Sequence, residues 1–174
     1  ISADHTVNRV RCTGAKARND LDRCTWNEDA PGDPIYLVGD SNADHLSEAL
    51  IGASRSLDRP LVALPEHGCS FVSGSSSLAN PNWRKRCDRY VQEASEQLEE
   101  AEDGLVVISN AYGDFRAHFD GKRSERISMA GEPQDTPLYS RLMETVEPLQ
   151  DAGHDVLLVQ TVPHWGIGAS LDWQ

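Results

Sequence analysis

The chain has 174 residues, with 28 Asp and Glu against 16 Lys and Arg, and its formal charge of -12 argues against binding to polyphosphate backbones, which takes clustered cations. No apolar run approaches the roughly 20 residues that span a membrane, and the start lacks a basic region followed by an apolar core. One domain with a substantial core is expected at this length, with no nucleic acid among its partners.

The chain opens on Ile1 and not on Met, so a processed product or a piece excised from something longer is expected. Residues 1–33 are polar and irregular, anchored by Cys12, Cys24 and Trp26. They read as a disulfide-pinned N-terminal lead, and residues 34–174 as one α/β domain. Four cysteines without a Cys-x-x-Cys metal motif permit three pairings. The sequential one, Cys12 with Cys24 and Cys69 with Cys87, closes short loops and is preferred, which implies an oxidising compartment. The alternative is four reduced core cysteines in a cytosolic protein.

Ile35, Tyr36, Leu37 and Val38 form an apolar run without alternation, as in a strand buried on both faces of a parallel sheet. The run ends in Gly39-Asp40-Ser41, and a helical pattern begins at once, with Ala43, Leu46, Ala49, Leu50 and Ala53 as its apolar face. Ser41 then sits between the carboxyl end of a strand and the amino end of a helix. There it either caps the helix or exposes a nucleophilic hydroxyl beside unpaired N–H groups.

Leu61 to Leu64 is a second buried strand running into the loop Pro65-Glu66-His67-Gly68-Cys69, and residues 73–77 form a loop. Asn80-Pro81 starts a long helix with Trp83, Cys87, Tyr90, Val91, Ala94, Leu98 and Ala101 on one face and Gly104 closing it. The cluster Arg84-Lys85-Arg86 with Arg89, and the acidic residues that follow it, read as a solvated helix face. Leu105 to Ile108 is a third buried strand, delivering Asn110. Residues 114–135 are polar and turn-rich. Thr136-Pro137 begins another helix with Leu138, Leu142, Val146 and Leu149 on its face; Pro148 is expected to end or kink it, and Gly153 stops it. Val156 to Val159 is a fourth buried strand, after which the chain leaves through Pro163-His164-Trp165.

Strands alternating with helices predict a three-layer α/β sandwich, with a mainly parallel sheet and helices on both faces. Ligands bind such sheets beyond the carboxyl ends of the strands. A serine esterase needs a hydroxyl nucleophile, oxyanion donors and a base. Ser41, a Gly68 backbone N–H and the Asn110 side-chain amide supply the first two in chain order, although Gly68 is equally a turn residue and Asn110 equally a loop former.

In that order the chain resembles the SGNH or GDSL hydrolase superfamily, whose fold is flavodoxin-like. Leu37-Val38-Gly39-Asp40-Ser41-Asn42-Ala43, the Gly68-Cys69 pair, the later Cys87 and the exit from Val159 to Pro163 resemble more narrowly the extracytoplasmic SGNH domain fused to acyltransferase-3 membrane proteins. The resemblance covers residues 34–165. At Asn110 the superfamily's Gly-x-Asn-Asp is replaced by Ile108-Ser109-Asn110-Ala111. The resemblance implies O-acylation, usually O-acetylation, of a cell-surface carbohydrate or glycolipid through an acyl-Ser41 intermediate. It also implies an extracytoplasmic location, an acyl donor, no cofactor and no metal. The partner would be a membrane acyltransferase domain tethering this one through a part not in the chain. A carbohydrate O-acetyl esterase and a non-catalytic carbohydrate-binding domain are the alternatives; a flavodoxin-like module is disfavoured because no phosphate loop is present.

The departure from the family concerns the base. An Asp-x-x-His motif belongs beyond the last strand, whereas the string Asp151-Ala-Gly-His154 precedes the last strand. A five- or six-residue strand spans about 17 to 20 Å, which puts His154 at the wrong edge. His164 leaves from the correct edge and is the candidate base within the chain; His67 is a second, and His45 is expected to face solvent. The preferred expectation is that the family's Asp-x-x-His lies beyond Gln174, which would make this chain an incomplete catalytic domain.

Overall fold

The structure is a computed structural model, and it describes Cys12 and residues 21–73, 81–110 and 137–159. A short 3-10 helix, Leu21–Cys24, leads into β1 (Thr25–Trp26) and then β2 (Ile35–Gly39). There follow α1 (Ser41–Ser56), β3 (Leu61–Pro65), α2 (Pro81–Glu99), β4 (Leu105–Ser109), α3 (Pro137–Asp151) and β5 (Asp155–Val159). The sheet has five strands in the order β1-β3-β2-β4-β5. All pairings are parallel except that of β1 with β3. It is thus a mixed, mainly parallel sheet.

Each strand of the centre sends alternate residues to opposite faces. Tyr36, Val38, Leu64, Val106 and Ile108 pack under Tyr90, Val91, Ala94 and Leu98 of α2 and Leu142, Val146 and Leu149 of α3. Ile35, Leu37, Leu61, Ala63 and Val107 pack on the other face against Ala43 and Ile51 of α1 and the Cys12–Cys24 disulfide. Helices therefore cover both faces, as the alternation of elements predicts. Both disulfides, Cys12–Cys24 and Cys69–Cys87, are the sequential pairs.

Several local expectations need correction. The buried face of α1 is Ala43, Asp44, Ser47, Ile51 and Ser54, while Ala49 is exposed. Two serines can be buried because each spends its hydroxyl inside the helix, Ser47 on the Asp44 carbonyl at 2.6 Å and Ser54 on the Ile51 carbonyl at 3.0 Å. Small side chains there let the helix lie close on the sheet.

The N-terminal lead is not wholly irregular, since β1 adds an antiparallel strand to the edge of β3. Helix α2 ends at Glu99, before Gly104, and α3 continues through Pro148 to Asp151. β5 is not buried: Leu157 and Leu158 are exposed by 48% and 38%. It is an edge strand of the described sheet, paired only with β4. Residues 114–135, read from the sequence as polar and turn-rich, lie outside the described residues.

The amino edge of the sheet is closed by His154, 4% exposed, which accepts from the Gly104 N–H at Nδ1 (3.1 Å) and donates from Nε2 to the Leu98 carbonyl at 2.7 Å. Tyr36 stands edge-on to that ring, 5.4 Å between centroids, and its hydroxyl donates to the Glu102 carbonyl at 2.9 Å. Burial, then the nearby Glu102 and Asp103 carboxylates, push the Tyr36 hydroxyl up to about 12 from its ordinary 10.0. Because the folded value lies above the unfolded one, the native state holds this proton more tightly. Its contribution to stability should be complete below pH 10 and be lost as pH rises through about 12. Ultraviolet titration of wild type against Tyr36→Phe, with denaturant melts across the same range, should show one late phenolate and a weaker alkaline loss in the variant.

Candidate active site

The parallel strands end level. Gly39 is paired with Pro65 on one side and Ser109 on the other, and Ser109 with Val159. The residues that follow leave the sheet side by side at its carboxyl edge. Connections from β2 run first to β3 and those from β3 cross back to β4. The edge between β2 and β4 is therefore the switch point where open α/β sheets bind ligands.

At that edge the chain turns on Gly39, whose φ of +136° suits glycine alone. A Cβ there would lie 1.9 Å from the Ser109 carbonyl oxygen, so β2 and β4 could not close up with any other residue. Asp40, fully buried, is the N-cap of α1: its Oδ1 accepts from the Asn42 N–H at 2.8 Å and from Asn42 Nδ2 at 2.9 Å. Capping thus falls to Asp40, and Ser41, the first helical residue, is half-buried with its hydroxyl unspent on the cap.

Glu66 to Cys69 form a turn closed by the Cys69 N–H on the Glu66 carbonyl at 3.0 Å. Gly68, with φ +71°, is its third residue, the arrangement of a type II turn. A side chain there would meet Trp83 at 2.6 Å. The turn is fastened to α2 by the Trp83 Nε1–H on the Gly68 carbonyl (3.2 Å), by Cys69–Cys87, and by the Arg86 guanidinium on the buried Glu66 carboxylate. Arg86 is therefore no mere part of a solvated face, and its guanidinium also stacks 4.6 Å over the Trp83 ring.

Asn110 follows β4 and is 5% exposed; its Oδ1 accepts the Phe71 N–H at 2.8 Å. That donor fixes the amide's orientation, leaving Nδ2 as its other end. Among the described residues, Ser41 Oγ, the Gly68 N–H and Asn110 Nδ2 have no hydrogen-bond partner. A hydroxyl and two donors, each carried by a neighbouring strand end, are what the candidate chemistry requires.

Of the histidines, His154 sits at the opposite edge with both nitrogens engaged, as the strand arithmetic predicts. His45 is exposed on α1. His67 is at the right edge, its Nε2 3.1 Å from Asp44 Oδ2. His164 lies outside the described residues. An acidic surface groove of about 490 Å³ between α2 and α3, lined by Asp88, Glu96, Glu99 and Glu144 among others, contains none of the candidate residues.

Two contributors have no motif. Tyr90, fully buried, accepts the Gly39 N–H at 2.9 Å and donates to the Leu64 carbonyl at 2.9 Å, bridging β2 and β3 directly under the Gly39 turn. The other is the Asp44–His67 contact. Tyr in place of Phe on a buried helix face is the sequence signal for the first, because a buried phenol needs a partner.

The family model for the SGNH domain fused to AT3 domains matches residues 11–172. The chain belongs to that SGNH family. No curated protein matches this SGNH domain. Among solved structures it is similar to the periplasmic domain of the lipopolysaccharide acetyltransferase of Salmonella ser. Paratyphi A, with a TM-score of 0.60 at 14% identity. The match covers 94% of this chain and 60% of that one, so the chain spans less than two thirds of the neighbour's length. At that identity the likeness establishes the shared α/β fold of the SGNH domain.

Tyr90→Phe should keep the ring packing yet leave the Gly39 N–H and the Leu64 carbonyl short of a partner, lowering stability by about 1–3 kcal/mol. Urea melts of the two proteins measure it.

Proposed function

We propose that this SGNH domain transfers an acyl group, above all acetyl, to a hydroxyl of a cell-surface carbohydrate or glycolipid through an acyl-Ser41 intermediate. The supporting observation is the level ending of β2, β3 and β4, which carries Ser41, Gly68 and Asn110 out at one edge. Ser41 Oγ attacks the acyl carbonyl while its proton passes to a base. The Gly68 N–H, Asn110 Nδ2 and the Ser41 N–H at the positive end of α1 hold the oxyanion. Collapse expels the donor's leaving group, which takes up the proton. A sugar hydroxyl then attacks the acyl-serine, giving its proton to the base, and Ser41 leaves with a proton returned.

His164, on the segment after β5, is the proposed in-chain base, with the family's Asp-x-x-His in its place if that motif follows. Two disulfides favour an extracytoplasmic setting. The family's fusion to AT3 domains favours a membrane acyltransferase as the source of the acyl group and as the tether. The similarity to a lipopolysaccharide acetyltransferase domain favours acetyl and a glycan acceptor. An esterase would differ only in accepting water, so exclusion of water and placement of the sugar decide between them.

Acid-quenched reactions with p-nitrophenyl acetate, followed by peptide mass mapping, should find acetyl on the Ser41 peptide. In protein that carries the base, Ser41→Ala should lose the adduct and about a thousandfold or more in turnover. Undiminished turnover in that variant would remove Ser41 from the chemistry and favour the binding-domain reading.

A further inference from the structure

We infer that the Asp44–His67 hydrogen bond is a positioning device that fixes the span between the nucleophile helix and the oxyanion turn; this rests on the reading of Ser41 and Gly68 given above. Asp44 lies one helical turn after Ser41 and is 3% exposed. Aspartate is almost never buried to that degree unless paired. Its Oδ2 is 3.1 Å from Nε2 of His67, the residue next to Gly68 in the turn. Neutral and charged imidazole both supply the N–H, so the tie does not require a charged ring. In the neutral ring the proton sits on Nε2, and Nδ1 carries the lone pair.

The geometry gives the bond a task that the turn's other fastenings do not perform. Trp83, Arg86 and Cys87 hold the turn to α2, and the Glu66 N–H holds it to the Gly39 carbonyl at 2.9 Å. Those ties run to α2 and to the end of β2, whereas His67 reaches α1, the helix on which Ser41 rides. The nucleophile and the Gly68 N–H must face one tetrahedral centre, and a misplacement of about 1 Å can lower the rate by about a hundredfold. A bond from the first turn of α1 to the residue beside Gly68 controls that spacing. Neither side chain needs to touch the reacting atoms for this, so both are positioning residues.

The test compares Asp44→Ala, His67→Ala, the double variant and Asp44→Asn in the full chain, with p-nitrophenyl acetate as substrate and the Gly68 amide resonance as a second readout. Each alanine variant should lower kcat by about ten- to a hundredfold with KM held within about twofold. The double variant should be no worse than either single one, as expected of residues acting as a unit. Asp44→Asn keeps an oxygen to accept the His67 N–H and should restore kcat to within about threefold of wild type. The Gly68 amide should shift alike in both alanine variants and return in Asp44→Asn. That readout needs no turnover, and half-exposed His67 can be replaced without opening the core even where Asp44→Ala unfolds.

An unmoved kcat and amide in His67→Ala, additive losses in the double variant, or a loss confined to KM would each overturn the inference. So would His67→Ala as inactive as Ser41→Ala, which would make His67 the base. Ser41→Ala run alongside separates the two levels. If it is inactive and the pair variants are unaffected, this inference alone falls; if it is fully active, the nucleophile assignment falls and takes the inference with it.

Discussion

Everything at the candidate site depends on three parallel strands stopping at the same height. Gly39 is level with Pro65 and with Ser109, and neighbouring strands lie about 4.8 Å apart. The residues after β2 therefore emerge roughly 5 Å from those after β3 on one side and from those after β4 on the other. Had the register slipped by one residue, the alternation of Tyr36 and Val38 with Ile35 and Leu37 would have put each on the wrong face. The two cores that hold the sheet thus also hold the site's spacing. Gly39 joins the two: the Ser109 carbonyl occupies the space a Cβ would need, so level strands and a tight turn are one constraint.

Parallel strands leave a fringe of unpaired groups at their carboxyl edge, and this molecule fills it with buried polar side chains. Asp40 caps α1, Asn110 takes the Phe71 N–H, Glu66 takes the Arg86 guanidinium, and the Tyr90 hydroxyl spans Gly39 and Leu64. A buried carboxylate such as Glu66 is tolerable only while paired; removing one partner of such a pair destabilises by about 3–5 kcal/mol. The result is a set of donors and turns held in place before any ligand arrives. Prearranged donors of this kind stabilise a developing oxyanion without reorganising at the moment of reaction. Under the proposed function, that rigidity would serve the chemistry as well as the fold.

The layered fold and the strand-borne candidates were legible because both depend on local pattern. Apolar runs at Ile35, Leu61 and Leu105 could be read as buried strands, and the residues following them as neighbours at one edge. What could not be read depends on partners distant in the chain. Ser47 and Ser54 look like the polar face of α1 until their hydroxyls are seen bonded to carbonyls of their own helix. Arg86 looks solvated until its guanidinium meets a carboxylate twenty positions earlier. Asp44 and His67 carry no motif at all, being 23 residues apart. β5 has the composition of a buried strand, and only the pairing shows that one side of it lacks a strand among the described residues.

Histidine placement follows from the same edge logic. His154 immediately precedes β5, its ring bonds Leu98 and Gly104, and the strand's five residues separate it from the level of Ser109. That is about 17 Å at 3.3 Å per residue, far outside proton-transfer distance. His67 has the right height, yet its Nε2 is engaged by Asp44. A segment leaving β5 starts level with Ser109 at Val159. From there Ser41 lies across about two strand spacings, roughly 10 Å, while five residues of chain extend up to about 16–18 Å. His164 is five residues beyond Val159. Chain length therefore allows a residue from that side of the sheet to reach Ser41, opposite the turn that carries Gly68, which is what the proposed function asks of its base.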